Sequence, residues 1–219
     1  MEEALRLDCV VLAAGSGSRL GGHKPFLPFR GSTILGATLS SALAAGLRAI
    51  VVLRPGDEEA GLALARSLEG ARGGGFRPGC DLEIVVNPAT EGGMLGSIQT
   101  GAARVRSSRF FFLPADMPFV GPEIYALLSS ARTERPVIPT AGGRRGHPVL
   151  LPSSMIASIL ELPPSLALRD LIAASAPVFV ETGDPSVLRD IDTREDYAAA
   201  LAEAEAPAGA LTCSPRAAG

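Results

Sequence analysis

Short apolar runs alternate with longer amphipathic stretches along most of this chain. The run Cys9–Leu12 is β-branched and uncharged, the pattern of a strand covered on both faces in a parallel sheet. From Ser32 to Ala45 the residues Ile34, Ala37, Leu39, Ala42 and Leu43 recur at helical spacing, with Ser32 or Thr33 placed to cap the start and Gly46 to end it. Ala49–Leu53 repeats the buried-strand pattern, Arg54–Asp57 turns, and Glu58–Leu68 reads as a helix. Glu83–Val86 is a third strand, stopped by Asn87-Pro88, and a helix opens near Met94. Arg109–Leu113 is the most apolar strand of all and runs into Pro114-Ala115-Asp116-Met117-Pro118. A helix from Pro122 to about Ser130 follows, then strands at 136–139 and 146–151. Only the short polar stretch AGGRRG joins those two strands, so an antiparallel hairpin is expected there. Helices over 153–160 and 165–174, a strand at 178–180, and a last helix from Arg194 to about Glu205 complete the pattern. Thr193 caps the last helix, with Asp196 three residues on.

This alternation has no repeat and no break in composition. It predicts an α/β fold, a single Rossmann-like three-layer α/β/α domain over residues 1–205 with a mostly parallel, mixed central sheet. Beyond it, residues 206–219 lose all periodicity in a run rich in Ala, Pro and Gly, and a disordered tail is expected. The glycine-rich stretch Gly70–Gly79 follows a helix instead of a strand and reads as a connection, not a ligand loop.

Composition narrows the class of partner. With a net charge of −3 and no basic block longer than Arg144-Arg145, neither nucleic acid nor an anionic membrane surface is an expected partner. The opening MEEALRLD lacks the basic flank and apolar core of a secretory leader, and no apolar stretch approaches the length of a membrane span. Cys9, Cys80 and Cys213 are odd in number, widely spaced and free of any C-x-x-C, which predicts reduced thiols in a cytoplasmic protein, with Cys9 in the core.

The chemistry begins where the first strand ends. Gly15, Gly17, Gly21 and Gly22 let the backbone approach a ligand closely and leave N–H groups for an anion, phosphate being the expected guest. Lys24 is the only lysine in a chain with 20 Lys plus Arg. A compact ammonium and a planar fork are not interchangeable, so a lone lysine in a glycine loop suits a point charge against phosphates. Two common phosphate loops fail on spacing. A dinucleotide fingerprint from Gly15 meets Leu20 where its last glycine belongs, and a Walker loop from Gly17 meets His23 where lysine is required and Pro25 in place of Ser/Thr.

What remains is L-A-A-G-x-x-x-R-x-G-x-x-K-x-x-x-P, met by Leu12, Ala13, Ala14, Gly15, Arg19, Gly21, Lys24 and Pro28. This pattern resembles the signature of nucleotidyltransferases with the nucleotide-diphospho-sugar transferase fold, and within them the molybdenum-cofactor branch, over about residues 7–204. The resemblance implies that the turn Leu12–Gly15 cradles a triphosphate while Arg19 and Lys24 neutralise it, with Pro25 and Pro28 holding the loop exit extended. It places Asn87, Gly92, Met94 and Ser97 under the nucleobase, in the manner of cytidylyltransferases. Thr90 and Glu91 stand where many relatives carry an aromatic residue, and read alone the stretch is equally a capped helix start.

Asp116 directly follows a buried strand, at the edge where open α/β sheets bind ligands, although a turn aspartate would look the same. By resemblance it is catalytic and binds Mg²⁺, with Asp192 of the Asp190-Ile191-Asp192 motif as second ligand. Asp190 is the close rival, and either could merely cap the last helix. Gly146-His147-Pro148-Val149 resembles the family's acceptor-side turn, where His147 contacts the acceptor phosphate or is structural.

The reaction so implied is transfer of CMP from CTP to a phosphorylated acceptor, molybdopterin, with release of pyrophosphate and a molybdoenzyme as a possible partner. A phosphate nucleophile is already ionised and needs no general base, in keeping with only two histidines. GTP-dependent guanylyl transfer is the alternative, because Asp116-Met117-Pro118-Phe119 leans toward guanylyltransferases while Ala14 replaces the second glycine of their loop. Nucleotide binding without turnover, in cofactor delivery, is a second alternative.

Overall fold

The computed structural model describes residues 6–15, 23–72, 81–88 and 93–205. Arg19, Gly92 and the tail at 206–219 lie outside the described residues. Strand β1 (Asp8–Leu12) leads by way of the 23–27 turn into a small antiparallel hairpin, β2 (Pro28–Phe29) and β3 (Ser32–Thr33), and then helix α1 (Ile34–Ala44). Strand β4 (Arg48–Leu53), helix α2 (Glu58–Arg72), strand β5 (Leu82–Val86), helix α3 (Gly93–Ala102) and strand β6 (Arg109–Pro114) follow in strict alternation. Helix α4 (Pro122–Ser129) then leads to β7 (Val137–Ala141), a two-residue β8 (Arg144–Arg145) and β9 (Val149–Pro152). Helices α5 (Ile156–Leu160) and α6 (Leu168–Ala174), strand β10 (Val178–Glu181) and helix α7 (Arg194–Glu205) close the described chain.

The sheet order is β10-β7-β9-β6-β1-β4-β5, with β8 attached to β7. Strands β5, β4, β1 and β6 are parallel, with Val10 opposite Ile50 on one side and Phe112 on the other. Strand β9 runs against β6 and β7, so the sheet is mixed as expected, and the hairpin closes through β8. Alternation along the strands divides the core. Cys9, Val11, Val51 and Phe111 face α1, α2 and α4, whereas Val10, Ile50, Phe110 and Phe112 face α3, α5 and α6. Both faces of the central strands are therefore apolar, which is why they read as unbroken runs.

Several local expectations are met. Thr33 caps α1, its hydroxyl accepting from Gly36 N–H at 3.0 Å, and Thr193 with Asp196 forms the reciprocal box at the start of α7. Others are corrected. Ser32 pairs in β3 instead of opening the helix, and the expected strand at 146–151 begins only at Val149. Lys24–Phe26 forms a 3₁₀ turn where an extended exit was expected, because the fixed φ of Pro25 suits the first turn of a helix as well as an extended segment.

This topology gathers the functional segments. The carboxyl ends of the parallel strands, and the start of β9 because it runs the other way, all lie at one edge of the sheet. The chain visits β1, β4 and β5 in one direction and then returns to place β6 on the opposite side of β1, so the switch point of the sheet lies between β1 and β6. No helix among the described residues is long and apolar enough to cross a membrane.

Candidate active site

The first site segment leaves β1. Ala13 is buried and its N–H donates to the carbonyl of Val52 at 2.9 Å, so it continues the sheet and presents no free amide. Leu12 is partly buried and its carbonyl accepts from Ala115 N–H at 3.1 Å, locking the β1 and β6 ends together. Ala14 and Gly15 are the first residues turned progressively to solvent at this edge. The turn Leu12–Gly15 thus divides into two residues that build the sheet and two, the half-buried Ala14 and the exposed Gly15, that lie beyond it.

The chain re-enters at His23, whose ring is largely exposed, as a solvent-facing histidine should be, but lies 3.1 Å from Arg54 and 3.0 Å from Asp57 just beyond β4. Phe26 N–H donates to the His23 carbonyl at 2.8 Å and closes the 3₁₀ turn, and Ile34 N–H donates to Leu27 at 3.0 Å, tying that turn to α1. Lys24 heads the turn and is carried inward: its side chain is 10% exposed. Its ammonium donates to Asp116 Oδ2 at 2.6 Å and to Asp192 Oδ1 at 2.8 Å. Burial pulls the ammonium's pKa down, but the two hydrogen bonds and the attraction of both carboxylates outweigh it, so the net shift is upward and the charge is secure.

Asp116 stands two residues past β6. Its carbonyl accepts from Ile191 N–H at 2.9 Å, which brings the late motif to the same point. Ile191 is buried, whereas Asp190 before it is exposed and Asp192 after it is half-buried. Asp116, Asp190 and Asp192 each offer a carboxylate oxygen within 4.8 Å of the others. Asp190 and Asp192 both lie in that group, so position alone sets neither aside. Two of these carboxylates hold the Lys24 ammonium, and among the described residues Asp116 Oδ1 is buried without a hydrogen-bond partner. Such an orphaned anionic oxygen beside two further carboxylates fits a hard divalent cation, which takes oxygen ligands of this kind.

Second neighbours set this geometry, and sequence patterns gave no sign of them. The Thr38 hydroxyl on α1 lies 3.0 Å from the carbonyl of Ala115, steadying the loop before Asp116. Phe119 joins three segments: its ring meets Phe29 edge-on at 5.7 Å, and the guanidinium carbons of Arg189 and Arg30 lie 3.7 and 5.3 Å from its centroid. The stretches bearing Lys24, Asp116 and Asp190–Asp192 are thus pinned to one ring. Arg30 and Gly31 both have positive φ at the tip of the β2–β3 hairpin, the turn type whose twist matches paired strands. Its usual Asn-Gly signal is absent, which hid the hairpin in the sequence.

His147 lies at the same edge, with a cis bond to Pro148. Its N–H donates to the carbonyl of Val187 at 2.9 Å, and a Cβ on Gly146 would fall 2.2 Å from that carbonyl oxygen, so only glycine permits the contact. Burial lowers the pKa of its imidazole against the opposing pull of Asp116 and Asp190. Ser97, on the second turn of α3, is buried and accepts from the Asn87 amide at 3.1 Å, just past the end of β5. Among the described residues no hydrogen bond joins it to the Lys24–Asp116 cluster; Met94, by contrast, is 74% exposed at the start of the same helix.

Comparison with known proteins accords with this arrangement. The molybdenum cofactor cytidylyltransferase of Escherichia coli is 26% identical over 191 residues, which cover 87% of this chain and 93% of that relative. The crystal structure of the Mycobacterium tuberculosis protein Rv0371c superposes with a TM-score of 0.72 at 24% identity, over 91% of this chain and 99% of that one. The same protein has been solved in complex with manganese, where the TM-score is 0.65 at 24% identity over 91% and 99% of the two chains. Molybdopterin-guanine dinucleotide biosynthesis protein A of Archaeoglobus fulgidus shares the fold at a TM-score of 0.62 and 16% identity, over 90% and 98% of the two chains. The MobA-like NTP transferase domain matches residues 9–178, and the chain belongs to that family.

Proposed function

We propose that this protein transfers CMP from CTP to the terminal phosphate of a molybdopterin-type acceptor and releases pyrophosphate. The observation that carries the reading is the cluster of Lys24, Asp116, Asp190 and Asp192 at the β1/β6 switch point. A polyphosphate entering over Ala14 and Gly15 meets a cation there, beside carboxylates suited to a second one. An acceptor phosphate oxygen attacks the α-phosphorus; the bond from that phosphorus to the oxygen bridging to the β-phosphorus breaks, and pyrophosphate leaves with the electron pair. No proton need be removed from the nucleophile. Catalysis therefore rests on positioning and charge, which this site is equipped to supply.

In this reading Lys24 and Arg19 neutralise phosphate oxygens and Asp116 and Asp192, with Asp190, hold Mg²⁺. The cation supplies charge neutralisation on the triphosphate and on the departing pyrophosphate. The manganese complex of the Mycobacterium tuberculosis neighbour supports a divalent metal in this fold. Leu12 and Ala13 fix the turn that Ala14 and Gly15 present. Gly92 and Ser97 read the base: Ser97 accepts from Asn87 and retains its own proton to donate. His147, at the acceptor side, meets the second substrate. Residues 1–205 form the catalytic unit with 206–219 as its tail, and the product passes in the cytoplasm to a molybdoenzyme.

The assignment of CTP rests on the Escherichia coli relative. GTP is the second reading, favoured by Asp116-Met117-Pro118 and by the Archaeoglobus fulgidus neighbour. Pyrophosphate release from each of the four ribonucleoside triphosphates, with Mg²⁺ and molybdopterin, separates them. CTP is expected to lead in kcat/KM by at least tenfold, and a lead for GTP would overturn the donor assignment.

A further inference from the structure

We propose that Lys24 is a tethered counter-ion of the metal site: its ammonium and a divalent cation exclude one another from Asp116 and Asp192, so the cation takes those carboxylates only when a polyphosphate draws the ammonium away. The inference rests on the reading of these carboxylates as the metal site. Magnesium binds carboxylate oxygens at about 2.0–2.1 Å and completes its shell with water and phosphate. The Lys24 ammonium lies 2.6 Å from one oxygen of Asp116 and 2.8 Å from one oxygen of Asp192, and so already occupies both carboxylates that such an ion would share. A cation chelated by both oxygens would sit almost on top of the ammonium. Two positive charges at that separation repel strongly away from bulk water.

Lys24 cannot simply leave, because its side chain is 10% exposed and a buried ammonium without a partner is costly. It needs a replacement anion. The turn at Ala14 and Gly15 is where the triphosphate is proposed to enter, and a four-carbon stem can swing its charge from carboxylate to phosphate while the backbone stays in place. That backbone is fixed by the 3₁₀ turn and by the Ile34–Leu27 hydrogen bond, so rotation within the stem is the available motion. An arginine fork, planar and held in two-point contact, would exchange partners less readily, which gives the lone lysine of this chain a physical reason. The consequence is linkage: a polyphosphate raises the affinity for metal, and metal raises the affinity for polyphosphate by the same factor.

The test is Mn²⁺ binding by the full chain, followed by electron paramagnetic resonance of the free ion, in wild type, Lys24→Met, and Lys24→Met combined with Asp116→Asn. Without nucleotide, Lys24→Met is expected to bind Mn²⁺ at least tenfold more tightly than wild type, and adding Asp116→Asn is expected to remove that gain. Equal or weaker binding by Lys24→Met would overturn the proposal while leaving the metal site standing. If no form binds Mn²⁺ even with inorganic tripolyphosphate, the metal site and this proposal fail together. Because Lys24 is the sole lysine, a second measurement needs no variant: protein labelled with isotopic lysine gives one side-chain NMR signal. That signal is expected to hold its position in millimolar Mg²⁺ and to move when tripolyphosphate is added with it. Movement with millimolar Mg²⁺ alone, matching that seen with tripolyphosphate, would overturn the proposal.

Discussion

Asp116→Asn separates the role of this carboxylate in the fold from its role in the reaction. The substitution keeps the shape of the side chain and an oxygen that can still accept from Lys24, which retains Asp192 at 2.8 Å. A hydrogen bond to a charged group contributes about 1.5–3 kcal/mol and a neutral one about 1 kcal/mol, so weakening the 2.6 Å contact costs roughly 0.5–2 kcal/mol. Part of this is offset, because Asp116 Oδ1 is a buried anionic oxygen with no partner and its desolvation penalty shrinks when the group is neutral. The net loss of stability is about 1 kcal/mol, a shift of about 2–4 °C in Tm for a domain of this size. Transfer should suffer far more. Losing one carboxylate of the metal site is expected to lower turnover at least about a thousandfold, or about 4 kcal/mol at the transition state. Pyrophosphate release at saturating CTP, acceptor and Mg²⁺, beside a melting curve of the same preparation, measures both. Turnover within tenfold of wild type would refute the assignment of Asp116 to the reacting centre.

Phe119→Ala removes the ring on which Phe29, Arg30 and Arg189 converge. A partly buried phenylalanine lost in this way is expected to cost about 2 kcal/mol in urea unfolding. It should also lower kcat more than it raises KM for CTP, because the carboxylates and Lys24 lose their fixed spacing; an unchanged kcat would show that the ring serves stability alone. His147 gives the fold an acid-sensitive term. Its pKa lies below the ordinary 6.5 because burial disfavours the charged ring. The unfolded chain therefore takes up a proton near 6.5 that the native protein takes only at lower pH, so the stabilisation is complete above 6.5 and is lost as pH falls through the native value. Unfolding free energy measured from pH 7.5 to 5 should decline less steeply in His147→Gln than in wild type, and parallel curves would contradict this. Cys9 is fully buried at the centre of the sheet, and burial pushes its thiol far above the ordinary range. A thiol reagent followed by peptide mass spectrometry should label Cys9 only after unfolding; labelling in the native protein at the rate of a free thiol would count against its placement.

Most of the sheet was legible because its central strands are apolar on both faces and short, and because caps such as Thr33 and Thr193 are local signals. The place of Asp116 was legible for a related reason: just after the most apolar strand, a residue of a parallel α/β sheet lies at the carboxyl edge. The pairing of Lys24 with Asp116 and Asp192 was not. It joins residues 92 and 168 positions apart and depends on a 3₁₀ turn at Pro25 that local preferences do not separate from an extended exit. The Phe119 junction was hidden for the same reason, since its partners come from a hairpin without a turn signal and from the segment after Val187. Asp190 and Asp192 read as alternatives along the chain; in space both lie beside Asp116, on either side of the buried Ile191.

The central claim is that phosphorus–oxygen chemistry takes place at the Lys24–Asp116–Asp192 cluster. Its most direct test follows the α-phosphate of CTP in the presence of Mg²⁺ and molybdopterin. An α-³²P label is expected to appear in the acceptor product in equal amount to the pyrophosphate released, and both are expected to be lost in Asp116→Asn. CTP bound tightly by the wild-type protein, with the label remaining in CTP and no pyrophosphate formed, would contradict it.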